Sequence, residues 1–333
     1  MSTLNRPPWL TPDELSSARA WCSDQMHALK LVPAGKPAIV KAGSISIVWR
    51  QLATSGGEVF FKVVPPLFAQ EPALTARLSQ HRPENTPHVL AIDQDLRCML
   101  TRTVHGVDLE QTPSVDQWMA TVRVLARIHI ESIDRVDEFT ACGCPTRAVA
   151  SLPEELGPVL SEATARCASH GHPVNEDTLR TVRGMQSSLN DWAAKLAESP
   201  VPPTLVHGDF HAGNVIISQE SAEPVILDWT DGAIAHPFLD LLIFLRGRAI
   251  DRMTAHRQTI VDAYLSEWEA AGYGTADQLG KLFLTAQCLA PLYHAASYHR
   301  VFGICDAAAA QFADALPWLL AMLAEAETVA DTP

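Results

Sequence analysis

In the stretch TLVHGDFHAGNVIISQESAEPVILDWTDG, residues 204–232, Asp209, Asn214 and Asp228 bracket two apolar runs rich in Val and Ile. The runs 215–218 and 225–227 have strand composition, and the Ser-, Glu- and Pro-containing connection suits a turn longer than two residues. A hairpin brings its outer ends together, so Asn214 and Asp228 are expected to face each other across its mouth. Asp209 precedes Asn214 by five residues in a loop too kinked and Gly-rich for helix. An amide oxygen and a carboxylate suit a hard cation such as Mg²⁺, which takes few protein oxygens and completes its shell with substrate phosphates. The remaining carboxylate can receive or orient a hydroxyl proton.

Those residues need a scaffold, and the chain divides in character around Gly106. A first helix is expected from Pro12 to Lys30, with Thr11, Asp13 and Glu14 suiting its N-terminus. AIVKAGSISIVWRQLA and EVFFKVV read as strand material broken at Gly56-Gly57, and Pro65-Pro66 stops the last strand. LFAQEPALTARLSQH reads as a short helix on which Leu67, Leu74 and Leu78 recur, followed by strands HVLAID and RCMLTRTV around a turn at Gln94-Asp95. From Ser114, a candidate cap, the pattern turns helical: Trp118, Val122, Leu125 and His129 share one face. Further helices are expected across 176–197, 254–271, 276–301 and 306–328, the last packing on the body.

Composition narrows the partners. Hydrophobic residues at 47% and charged residues at 19% describe a globular chain with ample core. A formal net charge of −13 with no basic cluster argues against nucleic acid and anionic membrane as partners. The N-terminus has no basic start with an apolar run behind it, and no segment has the length of a membrane span, so a cytoplasmic location is expected. Seven scattered cysteines, none spaced C-x-x-C, agree with reduced thiols there. No feature of the sequence sets an oligomeric state.

The spacing H-G-D-x-x-x-x-N at His207–Asn214, followed by the hairpin and ILDW, resembles the aminoglycoside phosphotransferase and choline-kinase-like family, whose fold is that of the bilobal protein kinases. The likeness runs from roughly residue 35 to residue 325. It implies an α+β protein with a small β-rich N-lobe, residues 1–104, that binds nucleotide. A larger, mostly helical C-lobe, residues 105–333, would carry the catalytic loop, metal site and acceptor site. By this resemblance Asp209 is the catalytic base, Asn214 and Asp228 hold Mg²⁺ at the phosphates of ATP or GTP, and His207 braces the loop. Read singly, Lys62 is a solvated strand-end charge and Glu71 an exposed helical acid. With the downstream motif, the two become an ion pair that sets the lysine at the α- and β-phosphates. Backbone groups from Arg102 to Val104 would meet the purine.

Departures from the family pattern are equally specific. VKAGSISIVW lacks G-x-G-x-x-G, leaving Gly43, Ser44 and Ser46 to offer phosphate donors. Thr230 stands where the family often has an acid, with Asp231 as a candidate substitute or acceptor contact. Asp240 corresponds to the family's acid at the start of the next helix, a cap or a brace for the loop. Tyr293, His294 and His299 are further acceptor candidates. The implied reaction is transfer of a γ-phosphoryl group to a hydroxyl of a small molecule. Asp231 and the overall acidity point to an amino sugar or amino alcohol, with a neutral metabolite or macrolide as the alternative.

Three other readings are weaker. His207 and His211 have the spacing of a helical zinc pair, but the glycines argue against helix and the glutamate is missing, which disfavours a zinc hydrolase. G-x-S-x-G is absent, as is an activation segment ending in A-P-E, which disfavours a serine hydrolase and a protein-substrate kinase. A pseudokinase-like nucleotide-binding protein would be expected to have lost Lys62, Asp209, Asn214 or Asp228, and all four are present.

Overall fold

A computed structural model describes residues 6–54 and 57–330. Helix α1, Pro12–Ala28, begins with a capping box: Thr11 Oγ1 accepts from Glu14 N–H while Glu14 Oε2 accepts from Thr11 N–H. It ends two residues before the expected Lys30, which has a left-handed φ of 58°. Five strands follow: β1 (Ala38–Ala42), β2 (Ile47–Leu52), β3 (Glu58–Val63), β4 (Val89–Asp93) and β5 (Cys98–Arg102). They form one antiparallel sheet in the order β1-β2-β3-β5-β4. Of the expected break between β2 and β3, Ser55 and Gly56 lie outside the described residues.

Alternation along β2 and β3 separates core from site. Ile47, Trp49, Val59, Phe61 and Val63 pack with Leu10, Ala18 and Met26 beside α1. Lys62, between Phe61 and Val63, therefore projects from the opposite face. Helix α2 is Glu71–His81; Leu67 lies outside it in a separate 3₁₀ turn, Pro66–Phe68, because Pro72 sets a new first turn. Leu74 and Leu78 join the core of the helical lobe rather than that of the sheet. Helix α2 thus bridges the two cores.

Beyond β6 (Gly106–Asp108) the chain is mostly helical. Helix α3, Val115–Ser132, buries Trp118, Val122, Leu125 and His129 as the periodicity requires, although Ser114 makes no side-chain capping bond. The helix expected across 176–197 divides at Met185, and that expected from 254 begins at Arg257 after a 3₁₀ run from Arg248 to His256. Helix Ala276–Phe302 runs unbroken, whereas the last expected helix splits into Asp306–Phe312 and Ala315–Ala330. Leu316, Leu319, Leu320 and Leu323 bury the final helix in the body. Among the described residues no single helix is long and apolar enough to cross a membrane. None of the seven cysteines is in a disulfide.

Two small sheets carry the chemistry-bearing loops. Strand β7 (Thr204–Val206) pairs antiparallel with β10 (Ala233–Ala235). Strands β8 (Val215–Ser218) and β9 (Pro224–Ile226) form the expected hairpin, with β6 added at its edge. At the hairpin mouth Leu227 N–H donates to Asn214 O at 2.8 Å, so Asp228 stands one residue beyond the pair.

Candidate active site

The loop leaving β7 turns sharply at Gly208, whose φ is +82°. A Cβ there would lie 2.3 Å from the Asp231 carbonyl oxygen, so both the conformation and the close approach demand glycine. The turn is pinned by Asp240, whose carboxylate accepts from His207 N–H and from Gly208 N–H, each at 2.7 Å. His129 Nε2 lies 3.2 Å from the same carboxylate and its Nδ1 lies 2.9 Å from the Tyr264 hydroxyl. Burial works against the Asp240 charge, but its hydrogen bond and attraction to His129 outweigh that and hold the carboxyl below its ordinary range. Asp240 makes no side-chain helix-capping bond; its carboxylate is turned to the two loop N–H groups instead.

His207 is buried and its Nε2–H donates to Leu227 O at 2.8 Å, tying the loop to the end of the hairpin. Its Nδ1 accepts from Asp209 N–H at 3.3 Å, which settles the tautomer through the network. Desolvation keeps this imidazole below the ordinary histidine pKa. His211 sits across a 3₁₀ turn rather than on a helix with His207, its Nδ1 accepting from Gly213 N–H. Asn214 Nδ2 donates to Asp209 O at 3.0 Å, which fixes the amide and turns Oδ1 away from that bond.

The second half of the site is built on Lys62. Its ammonium lies 2.6 Å from Glu71 Oε1, 2.6 Å from Asp228 Oδ1 and 2.9 Å from Thr230 Oγ1. Neither Lys62 nor Glu71 is solvated: their side chains are 11% and 0% exposed. Burial penalises the ammonium, yet the charges of Asp228 and Glu71 outweigh it and raise the lysine pKa. Asp228, half-buried and with a left-handed φ of 61°, is held below the carboxylate range: burial opposes its charge, but Lys62 and Lys41 prevail. Glu71 is pushed upward because burial outweighs its pairing with Lys62, and its Oε2 has no hydrogen-bond partner.

Asp231 follows in a 3₁₀ turn, and its carboxyl is raised to about 7 by burial and by the neighbouring Asp209 charge. Asp231 lines a small cavity of about 50 Å³ together with Gln70, Arg147, Ser297 and Arg300. Tyr293, His294 and His299 do not line it. Tyr293 is buried beneath the Arg147 guanidinium, 3.6 Å from its ring centre, and His294 is buried with Nε2 3.3 Å from Leu239 O. His299 faces Glu162 at 3.3 Å. Ser44 and Ser46 are both buried in the turn between β1 and β2; Ser44 bonds to Gln311, while Ser46 Oγ has no partner. At the segment joining the lobes, Arg102 N–H donates to His88 O and Thr103 N–H to Glu58 O. A cavity of about 680 Å³ lies among helices 257–270, 276–302 and 315–330, and none of Lys62, Asp209, Asn214 or Asp228 lines it.

Several residues reach the site without a signal in the spacing. Thr230 touches both Lys62 and Asp228, and its carbonyl accepts from Gln70 Nε2 at 2.9 Å. Arg147 reaches the Asp231 wall because its N–H donates to Ile234 O beside β10, a pairing no local pattern announces.

A small antiparallel lobe holding a lysine–glutamate pair, set against a helical lobe holding an Asp-x₄-Asn loop and a hairpin-end aspartate, defines the bilobal protein-kinase-like fold. Residues 39–279 match the profile described as "Phosphotransferase enzyme family" (APH), and the chain belongs to that family. It is accordingly a phosphotransferase with an alcohol group as acceptor. No functionally curated sequence matches the chain. Among solved structures it is similar to a choline/ethanolamine kinase family protein from Mesorhizobium loti, with TM-score 0.60, 14% identity and 96% of each chain covered. It is also similar to the macrolide 2'-phosphotransferase of Brachybacterium faecium, with TM-score 0.56, 17% identity, 89% of this chain and 97% of that one. A spectinomycin phosphotransferase in complex with ADP and spectinomycin gives TM-score 0.54 and 13% identity over 89% of this chain and 94% of that one. At these identities the likeness is one of fold.

Proposed function

We propose that the chain transfers the γ-phosphoryl group of ATP or GTP to a hydroxyl of a small molecule. The observation that carries this reading is the buried Lys62, held between Glu71 and Asp228. Such a fixed cation is suited to nucleotide phosphates. Arg102 and Thr103 spend their N–H groups inside the protein, so a donor to the purine edge comes from Val104 onward. Asp209 accepts the acceptor's hydroxyl proton as that oxygen bonds to the γ-phosphorus; the bond from the γ-phosphorus to the β–γ bridging oxygen breaks, and the nucleoside diphosphate leaves with the electron pair.

Mg²⁺ fits the residues present. Asn214 Oδ1 is free of the bond its amide nitrogen makes, and Asp228 keeps Oδ2 beyond the oxygen that Lys62 takes, with Lys41 Nζ 4.0 Å away. An amide and an ionised carboxylate oxygen form a hard donor pair of the kind Mg²⁺ accepts. When bound, Mg²⁺ would neutralise phosphate charge. The protein's own contribution is to hold Asp228 ionised through Lys62 and to fix Asp209 through the Asp240 brace.

For the acceptor, Asp231 beside Asp209 supports a cationic amino sugar or amino alcohol. Arg147 and Arg300 on the same wall favour a second reading, a neutral polyhydroxylated molecule, because they offset the acids. The similar structures are named for small hydroxylated acceptors: a macrolide, choline or ethanolamine, and spectinomycin. The test is a panel of hydroxylated amines, sugars and macrolides with Mg²⁺ and either ATP or GTP, following nucleoside diphosphate release. Turnover of neutral acceptors alone removes the cationic reading. Asp209→Ala is expected to lower kcat by about 10²–10⁴-fold while nucleotide still binds; undiminished transfer overturns the mechanism.

A further inference from the structure

The turn between β1 and β2 is held by a residue from the far end of the chain. Ser44 N–H and Ser44 Oγ–H both donate to one atom, Gln311 Oε1, at 3.1 and 2.6 Å, across 267 residues of sequence. Gln311 lies on helix Asp306–Phe312, which is set off by a turn at Gly303–Ile304 before it and by the break at Ala313–Asp314 after it. The rest of the turn is well fixed. Gly43 N–H donates to Ser46 O at 2.9 Å, and Trp9 Nε1–H donates to Ser44 O at 2.6 Å. Ile45 packs against the cluster of Val64, Phe68, Val301 and Ala308. On the strand leading into the turn, Lys41 Nζ lies 4.0 Å from Asp228 Oδ2, so this turn borders the proposed phosphate site.

Two donors converging on one oxygen is an arrangement that a phosphate oxygen also accepts. Ser44 cannot give the same two hydrogens to Gln311 and to a phosphate at once. The other hydroxyl of the turn, Ser46 Oγ, is buried without a partner, in a residue 2% exposed. From these contacts we infer that Gln311 is a positioning residue for the turn: its amide oxygen occupies the Ser44 donors and yields them to a nucleotide phosphate. The inference rests on the nucleotide-binding reading above. A neutral amide oxygen suits this exchange. It satisfies two donors that would otherwise be left unpaired, yet accepts more weakly than an anionic phosphate, since charge-assisted hydrogen bonds are about twice as strong as neutral ones. The consequence is a coupling between the lobes: nucleotide binding frees helix Asp306–Phe312 from the N-lobe turn.

The experiment measures equilibrium binding of ATP with Mg²⁺, and of GTP with Mg²⁺, to the full chain without acceptor. Gln311→Met, which removes the competing oxygen, is expected to tighten binding by about fivefold, the value of roughly one neutral hydrogen bond. Gln311→Glu keeps the shape and makes the competing oxygen anionic, and is expected to weaken binding by at least as much. In a Ser44→Ala background, which removes one of the two donors, both differences shrink. Hydrogen exchange of segment 41–47 is expected to quicken in Gln311→Met without nucleotide and to slow again when ATP is added. Should Gln311→Met fail to fold by thermal melting, the isosteric Gln311→Glu decides alone. A wild-type protein that binds nucleotide while both variants match it, or a Gln311→Met that binds more weakly, overturns the assignment to Gln311 and leaves the nucleotide reading standing. A wild-type protein that binds neither nucleotide overturns both.

Discussion

Two buried acidic clusters face the same loop system and are finished differently. Asp240 is fully enclosed, and every contact it makes is complementary: two backbone N–H groups and the His129 ring. Glu71 is as fully enclosed, but only one of its oxygens is met, by Lys62, and the other has no partner. Asp228 gives Oδ1 to Lys62 and Thr230, leaving Oδ2 with Lys41 4.0 Å away. Buried polar groups are nearly always satisfied, so an incomplete set calls for a reason. Around Asp240 the set is complete and the residue braces. Around Lys62 it is incomplete at the place where phosphate and metal are proposed to bind. The pKa directions agree: the satisfied Asp240 is held low, whereas burial lifts the under-satisfied Glu71.

The sharpest way to break this contrast is Asp240→Ala. It leaves His207 N–H and Gly208 N–H buried without an acceptor, each at a cost of roughly 1–3 kcal/mol, so a total loss of about 2–6 kcal/mol is expected in denaturant unfolding. A loss within 0.5 kcal/mol, on the order of an ordinary surface substitution, would remove the brace. Next in size is Lys62→Met. Without the ammonium, Asp228 and Glu71 face each other uncompensated, and a loss of about 3 kcal/mol is expected together with weakened nucleotide binding. Adding Glu71→Gln should recover part of the stability and none of the binding; a double mutant no more stable than Lys62→Met would show the pair to be independent.

A pH-dependent test concerns Asp231, whose carbonyl meets Gly208 at the turn that Asp240 pins. Its folded pKa of about 7 lies above its ordinary value, so the folded state holds a proton that the unfolded chain has released. That contribution is fully present below about pH 4 and is lost as pH rises through about 7. Asp231→Asn should therefore be more stable than the parent at pH 8, with the gap closing toward pH 5, in melting curves across that range. A gap that does not change with pH would mean that the Asp231 carboxyl titrates where an exposed aspartate does.

Much of this site can be read along the chain because its parts are local. Asp209 and Asn214 lie five apart on one loop, and the alternation in EVFFKVV places Lys62 opposite Phe61 and Val63 wherever that strand packs. The Thr11 capping box is equally local. Helix breaks were less legible: nothing in the apolar pattern interrupts 176–197 or 306–328, yet the helices divide at Met185 and after Phe312. Tyr293 and His294 follow from the same limit. Periodicity puts them on a buried face but does not say which neighbour that face meets, and the face beside Asp231 instead presents Ser297 and Arg300.

By itself, then, the sequence determined the kinds of element, the His-Gly-Asp-x₄-Asn spacing and the hairpin that follows, all of which depend on interactions within a few residues. Tertiary structure alone decided that Lys62 meets an aspartate 166 positions away, that Asp240 braces a loop 32 and 33 positions before it, and that Gln311 holds Ser44 across 267. Hydrogen-bond spacing and strand alternation are written into neighbouring residues. Which distant groups become partners is set by how the two cores pack around helix α2, and no local pattern carries that.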